Sequence, residues 1–265
     1  MPHSQKNKMR KTVIAGNWKM YKNVTEAIEL ANGLNRELYE LDYELIDVVL
    51  CPPYTALSEV SEVIADSGIQ LGAQDCYWQE EGAFTGEVSC KMLEDIGCKF
   101  VIIGHSERRQ FFGETNDTVN KKIKAALKAG LTPIVCVGET LNEREKGKTF
   151  EVLDDHVKNG LNDLNEQDAL RIVIAYEPVW AIGTGKTATP EQAQEAQKYI
   201  RDLLAKLYNK DIAENIRIQY GGSVKPENII ELMKQPDVDG ALVGGASLLV
   251  ESFAQIVKKA FEVKK

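Results

Sequence analysis

The stretch FVIIGHSERRQFFGETNDTVNKKIKAALKAGLTPIVCVGE, residues 100–139, holds two short apolar runs separated by a segment with a different period. FVIIGH from Phe100 and TPIVCVGE from Thr132 lack strict apolar–polar alternation, as expected of strands covered on both faces in a parallel sheet. Between them, Asn116 precedes a helix that carries Val119, Ile123, Ala126 and Leu127 on one side, and Gly130 is placed to end it. Strand, helix, strand is the repeating unit of an α/β fold.

Six further runs of the same kind lie on either side: TVIAGNW from Thr12, LIDVVLC from Leu45, IQLGAQ from Ile69, RIVIAYE from Arg171, IRIQYGG from Ile216 and VDGALVGG from Val238. Between the sixth and seventh in chain order, Ala193, Ala196, Ile200, Leu203, Leu204 and Leu207 share one helix face; Thr189 is placed to cap this helix, with Pro190 in its first position and Gln192 as the capping-box partner. Eight strand-like runs alternating with helices over about 250 residues match a single (β/α)8 barrel with a parallel eight-stranded sheet. A doubly wound open sheet also alternates its elements, but no GxGxxG follows the first run. Without a linker or a second core, residues 10–265 read as one barrel domain and residues 1–9 as a flexible extension.

A net charge of -8 argues against nucleic acid or an anionic membrane as the main partner, because both require a basic face. No run is long enough to span a bilayer. The five cysteines, at 51, 76, 90, 98 and 136, show neither CxxC nor metal-ligand spacing, and suit a reducing, cytoplasmic setting. No metal or cofactor is expected.

In a barrel, functional groups sit at the C-terminal ends of the strands and in the loops that follow. That rule selects Asn17 and Lys19, His105, Glu177, Gly222 and Ser223, and Gly244 and Gly245. Glu177 ends a strand before Pro178; it reads either as a general base whose proton affinity an apolar setting raises, or as a carboxylate paired to a surface lysine. His105, before a short helical turn, reads as a neutral ring able to donate a hydrogen bond, or as a core histidine bonded to backbone. Lys19, two residues past Asn17, is expected to share its face and to stand beside a developing oxyanion, unless it is an ordinary surface lysine. Trp18 and Met20 are expected to pack between barrel and helices, and His3 and His156 to face solvent. The glycine pairs around 183–185, 221–223 and 244–245 could cradle an anion or serve as plain turns. Ser247 is expected to cap a following helix. PVWAIGTGKTA, residues 178–188, has the composition of a moving lid, with Ile182 and Leu242 closing over Glu177.

Taken together, AGNWKM (15–20), GHSERR (104–109), AYEPVWAIGTGK (175–186), YGGSV (220–224) and LVGG (242–245) resemble the triosephosphate isomerase family, in order, from about Arg10 to the C-terminus. The resemblance implies a TIM barrel and interconversion of dihydroxyacetone phosphate and D-glyceraldehyde 3-phosphate, in glycolysis and gluconeogenesis, without a cofactor. It further implies Glu177 as proton carrier, neutral His105 as electrophile, and Lys19 and Asn17 as stabilisers of negative charge. Phosphate would bind at Gly183, Ser223, Gly244 and Gly245. Glu107 would support Lys19, Pro178, Val179, Trp180, Ile182 and Leu242 would belong to the lid and its surroundings, and Tyr220 with Ser223 would hold the lid closed. The segment around 76–89 resembles the family's homodimer loop, with Thr85 reaching the neighbouring site. A Schiff-base aldolase would instead need a lysine inside the barrel, which the run ending in Glu177 lacks, and the set Asn17, Lys19, His105 and Glu177 argues against a silent scaffold.

Overall fold

The computed structural model describes residues 10–182 and 187–265. The extension expected at residues 1–9, with His3, and Gly183, expected to bind phosphate, lie outside them. All eight runs form strands: β1 (Thr12–Asn17), β2 (Ile46–Cys51), β3 (Gln70–Ala73), β4 (Phe100–Ile103), β5 (Thr132–Val137), β6 (Val173–Tyr176), β7 (Arg217–Tyr220) and β8 (Gly240–Val243). Each pairs in parallel with the next, and β1 pairs with β8 in the register Val13↔Gly240 through Gly16↔Val243, which closes the sheet. Closure excludes the open doubly wound sheet.

The near-continuous apolar runs have a simple cause: both faces of each strand are covered. Val13, Ala15, Val49, Ile102, Ile134 and Ala175 fill the barrel interior. Their neighbours Ile14, Val48, Leu50, Ile103 and Ile174 point outward and pack beneath helices such as Val24–Leu38, Pro190–Leu207 and Val250–Lys264. At the N-terminal end of the strands, the buried Arg201 lies 2.5 Å from Asp237 and 2.8 Å from Asp239, and Arg10 adds a second cation to Asp239 at 2.7 Å. These groups brace the barrel at the end opposite the candidate site.

The helix Pro190–Leu207 starts as expected: the Thr189 hydroxyl accepts from the Gln192 amide and the Gln192 side chain accepts from the Thr189 amide. The helix Asn116–Lys128 ends before Gly130, whose φ of 81° is a left-handed conformation that glycine adopts without strain. Its cap, however, is Thr115, and Asn116 is the first helical residue, bonded through its side chain to Arg109 and Asp155. Ser247 does not cap the helix Val250–Lys264; it is fully buried in the turn Gly245–Leu248 and donates to the Gly244 carbonyl at 2.7 Å.

Candidate active site

At the C-terminal mouth of the barrel lies a cleft of about 370 Å³, reached by Asn17, Lys19, His105 and Glu177 from β1, β4 and β6. Ser223, Gly244 and Gly245 line its far wall, and Ile182 and Leu242 contribute apolar surface. Residues scattered over more than 220 positions therefore converge because each follows a strand of one closed sheet.

Two glycines make room for Glu177, one for its backbone and one for its side chain. A Cβ on Gly138 would lie 1.7 Å from the Glu177 carbonyl oxygen, and one on Gly221 would lie 2.9 Å from the Glu177 Cγ. Glu177 is 2% exposed, which removes the surface-lysine alternative. Its Oε2 accepts from the Ser106 amide at 2.9 Å. Its Oε1 is 2.9 Å from His105 Nε2, but the N–H direction misses it, so this oxygen has no hydrogen-bond donor among the described residues. Burial pushes the carboxyl upward, yet the His105 ring, the Ser106 amide and Lys19 outweigh it and hold the pKa below the ordinary range. An apolar setting alone would raise it; the donors around the carboxylate in this conformation reverse the sign.

His105 caps the helix Ser106–Phe111: its Nδ1 accepts from the Glu107 amide at 3.2 Å. Burial disfavours a charged ring while Glu177 favours one, and the net direction of the pKa is upward. A second proton on Nδ1 would set two N–H groups against each other, so the contact with the Glu107 amide selects the neutral tautomer with its proton on Nε2.

Lys19 reaches the cleft by a different route from strand alternation. Its φ is 51°, a left-handed backbone unusual outside glycine. The Asn17 side chain accepts from the Lys19 amide at 3.0 Å, and Gln74 donates to the carbonyls of Lys19 and Cys51 at 2.8 and 2.9 Å. The ammonium then meets Glu107 at 2.5 Å and lies beside Gly244. The same bend turns Met20 outward to 93% exposure, against the expectation that it packs inside, whereas Trp18 is fully buried.

The segment that follows Glu177 stands behind it. Pro178 precedes the turn Val179–Ala181; the Val179 amide donates to the Glu139 carbonyl, and Trp180 Nε1 donates to the Glu139 carboxylate at 3.0 Å. Arg144 and the Tyr176 hydroxyl bind the same carboxylate at 3.0 and 3.2 Å. Glu139 is fully buried, and in the sequence nothing distinguishes it from any glutamate after a strand. Tyr220 ends β7, buried, its hydroxyl without a hydrogen-bond partner among the described residues. Thr85 is exposed on the 76–89 segment, away from this cleft. His156 is half-buried rather than solvent-facing: it lines a second cavity with Arg109 and Trp180 and accepts from the Gly138 amide at 3.4 Å. Burial, followed by Arg109, lowers its pKa to about 4.

The triosephosphate isomerase family profile matches residues 12–260, almost the whole described chain. This chain belongs to the triosephosphate isomerase family. It is 58% identical over 252 residues to the triosephosphate isomerase of Geotalea uraniireducens, covering 94% of this chain and 99% of that one. To those of Geobacter metallireducens and Carboxydothermus hydrogenoformans it is 60% and 59% identical, again over 94% of this chain and 98% and 99% of theirs. Triosephosphate isomerase family membership makes the chain an isomerase of glycolysis, and the family's reaction is the interconversion of dihydroxyacetone phosphate and glyceraldehyde 3-phosphate.

Proposed function

We propose that the cleft carries out this interconversion by proton transfer through an enediolate, with Glu177 as the base. The observation that supports it best is the buried Glu177 carboxylate at the strand end, 2.9 Å from His105 Nε2 in a cleft that Lys19 also lines. Glu177 takes a proton from the carbon next to the carbonyl and returns it to the neighbouring carbon. His105 Nε2–H polarises the carbonyl and exchanges protons with the two oxygens, while Lys19 and Asn17 stabilise their negative charge. To reach substrate, Glu177 must leave the Ser106 amide. The donors that depress its pKa are then lost while burial remains, so moving the carboxylate makes it a stronger base.

Phosphate is assigned to the backbone amides of Gly183, Ser223, Gly244 and Gly245, with Lys19 alongside. Pro178, Val179, Trp180 and Ile182 start the lid, Leu242 covers the base, and Tyr220 and Ser223 receive the closed lid. Glu107 orients Lys19. Residues 10–265 form the catalytic domain, preceded by the extension 1–9.

The working unit is a homodimer. Met20, Tyr21, Tyr54, Phe84, Phe111 and Phe112 are all exposed on the loops after the four neighbouring strands β1 to β4, an apolar set that a second copy would cover. The 76–89 segment would insert into the partner, bringing Thr85 toward its site. The five unpaired cysteines favour a cytoplasmic location, and no described helix is long and apolar enough to cross a membrane.

The test is conversion of dihydroxyacetone phosphate by purified protein in the presence of a metal chelator, the aldehyde being followed with a coupled dehydrogenase. Rapid turnover, lost in Glu177→Ala with the fold retained, supports the assignment. Absence of turnover in folded dimer overturns it.

A further inference from the structure

Among the five cysteines, two occupy the ends of one loop. Cys76 and Cys90 bracket residues 77–89, whose ends run side by side: Tyr77 and Ser89 form a parallel bridge, and the Tyr77 amide donates to the Val88 carbonyl at 2.8 Å. The Cys90 thiol points at the Tyr77 carbonyl oxygen, 3.9 Å away, one residue beyond Cys76. Cys76 and Cys90 are near enough for each thiol to act on the other's ionisation. Cys76 is fully buried, whereas Cys90 lines a cavity of about 540 Å³ beneath the loop, together with Tyr77, Trp78, Lys91 and Lys128.

We infer that Cys76 and Cys90 are a peroxide-sensitive pair that closes into a reversible disulfide across the stem of loop 77–89. The two thiols have different roles. Their contact lowers the pKa of Cys90 and, with burial, raises that of Cys76, so Cys90 ionises first and is the one that small oxidants reach through the cavity. Its thiolate attacks one oxygen of hydrogen peroxide, the O–O bond breaks, and hydroxide leaves a sulfenic acid on Cys90. The Cys76 thiol then attacks that sulfur, its proton leaves with the hydroxyl as water, and the S–S bond forms. Two thiols are oxidised, one peroxide is reduced, and two waters result. Burial pushes the thiols of Cys51, Cys98 and Cys136 upward, and Cys98 raises that of Cys51 further rather than lowering it. A pair that stays reduced in a glutathione-buffered compartment and closes under peroxide is the transient kind of disulfide expected there. The inference stands on the loop stem alone and is independent of the proposed catalysis.

Full-length protein is treated with hydrogen peroxide at neutral pH, free thiols are blocked with N-ethylmaleimide, and the denatured, unreduced digest is mapped by mass. The expected result is one intrachain Cys76–Cys90 cross-link, two hydrogens lighter than the reduced peptides and reversed by dithiothreitol, with the other three of the five thiols blocked intact. In Cys76→Ser, dimedone should trap sulfenic acid at Cys90; in Cys90→Ser, Cys76 should remain a free thiol. Over-oxidised Cys90 without a cross-link, a cross-link elsewhere or between chains, or five untouched thiols would overturn the inference. The wild-type map decides the matter even where a variant folds poorly.

Discussion

At Glu177 the downward pKa direction and the proposed chemistry pull in opposite senses, and the difference resides in single contacts. The Ser106 amide and His105 hold the carboxylate ionised, so the base is charged and ready before substrate arrives. Replacing it by glutamine keeps volume and the amide contact while removing the basic oxygen. Glu177→Gln should therefore lose roughly 10²–10⁴-fold in kcat with a melting temperature close to wild type, measured in the coupled assay and by calorimetry; turnover within a few-fold of wild type would exclude Glu177 as the base. His156 gives a pH prediction. Its folded pKa of about 4 is below the ordinary 6.5. The unfolded chain therefore binds this proton more tightly, and the neutral ring's contribution is complete above pH 6.5 and lost as pH falls from about 6.5 to about 4. The shift corresponds to about 3 kcal/mol of stability lost across that window. Unfolding free energy in urea should fall less steeply over it in His156→Gln than in wild type, and parallel curves would show that the ring does not titrate there.

Elements carry the next level of control. The helix Pro190–Leu207 leads away from the lid segment and begins at a reciprocal cap, so Thr189→Ala should cost about 1 kcal/mol by denaturant titration. An unchanged midpoint would mean that water replaces the cap. On the other side of the lid, Glu139 gathers Trp180, Tyr176 and Arg144 on one buried carboxylate. Glu139→Gln keeps the shape and weakens the charge-assisted bonds, worth about 1.5–3 kcal/mol each in such settings. Because these bonds secure the first turn of the proposed lid, kcat and KM should change together, by on the order of tenfold in kcat/KM, as expected for a lid hinge rather than a group on the substrate. A KM change alone would place Glu139 outside lid control.

For the whole molecule, the barrel holds its site at one end and its ion pairs at the other. Arg201, Asp237 and Asp239 brace the N-terminal ends of the strands, leaving the C-terminal loops to carry chemistry and association. The exposed Phe111 and Phe112 follow directly from the helix that His105 caps, so contacts made there bear on the site through one short element. Phe111→Glu combined with Phe112→Glu should convert a dimer to monomer in sedimentation velocity and lower kcat at least tenfold through the loosened His105 turn. A wild-type chain that is monomeric and fully active at all concentrations would refute the dimer.

The sequence by itself was enough to determine the eight strands and their order, the Thr189 cap, and the residue types gathered at the strand ends, because these depend on periodicity and on neighbours a few positions apart. Closure of β1 onto β8 was legible only as the arrangement eight units allow; the pairing itself joins residues more than 220 positions apart. The tertiary structure alone decided the contacts whose partners come from distant elements. Lys19 enters the cleft through a left-handed turn held by Gln74, and Met20 is turned outward by the same bend. Glu139 becomes the anchor of the turn Val179–Ala181, His156 is drawn out of solvent, and Cys90 is brought to the Tyr77 carbonyl beside Cys76. In each case local sequence specifies which group is present, but the dielectric around it and the partner facing it are set by packing, and these decide charge, strain and reactivity.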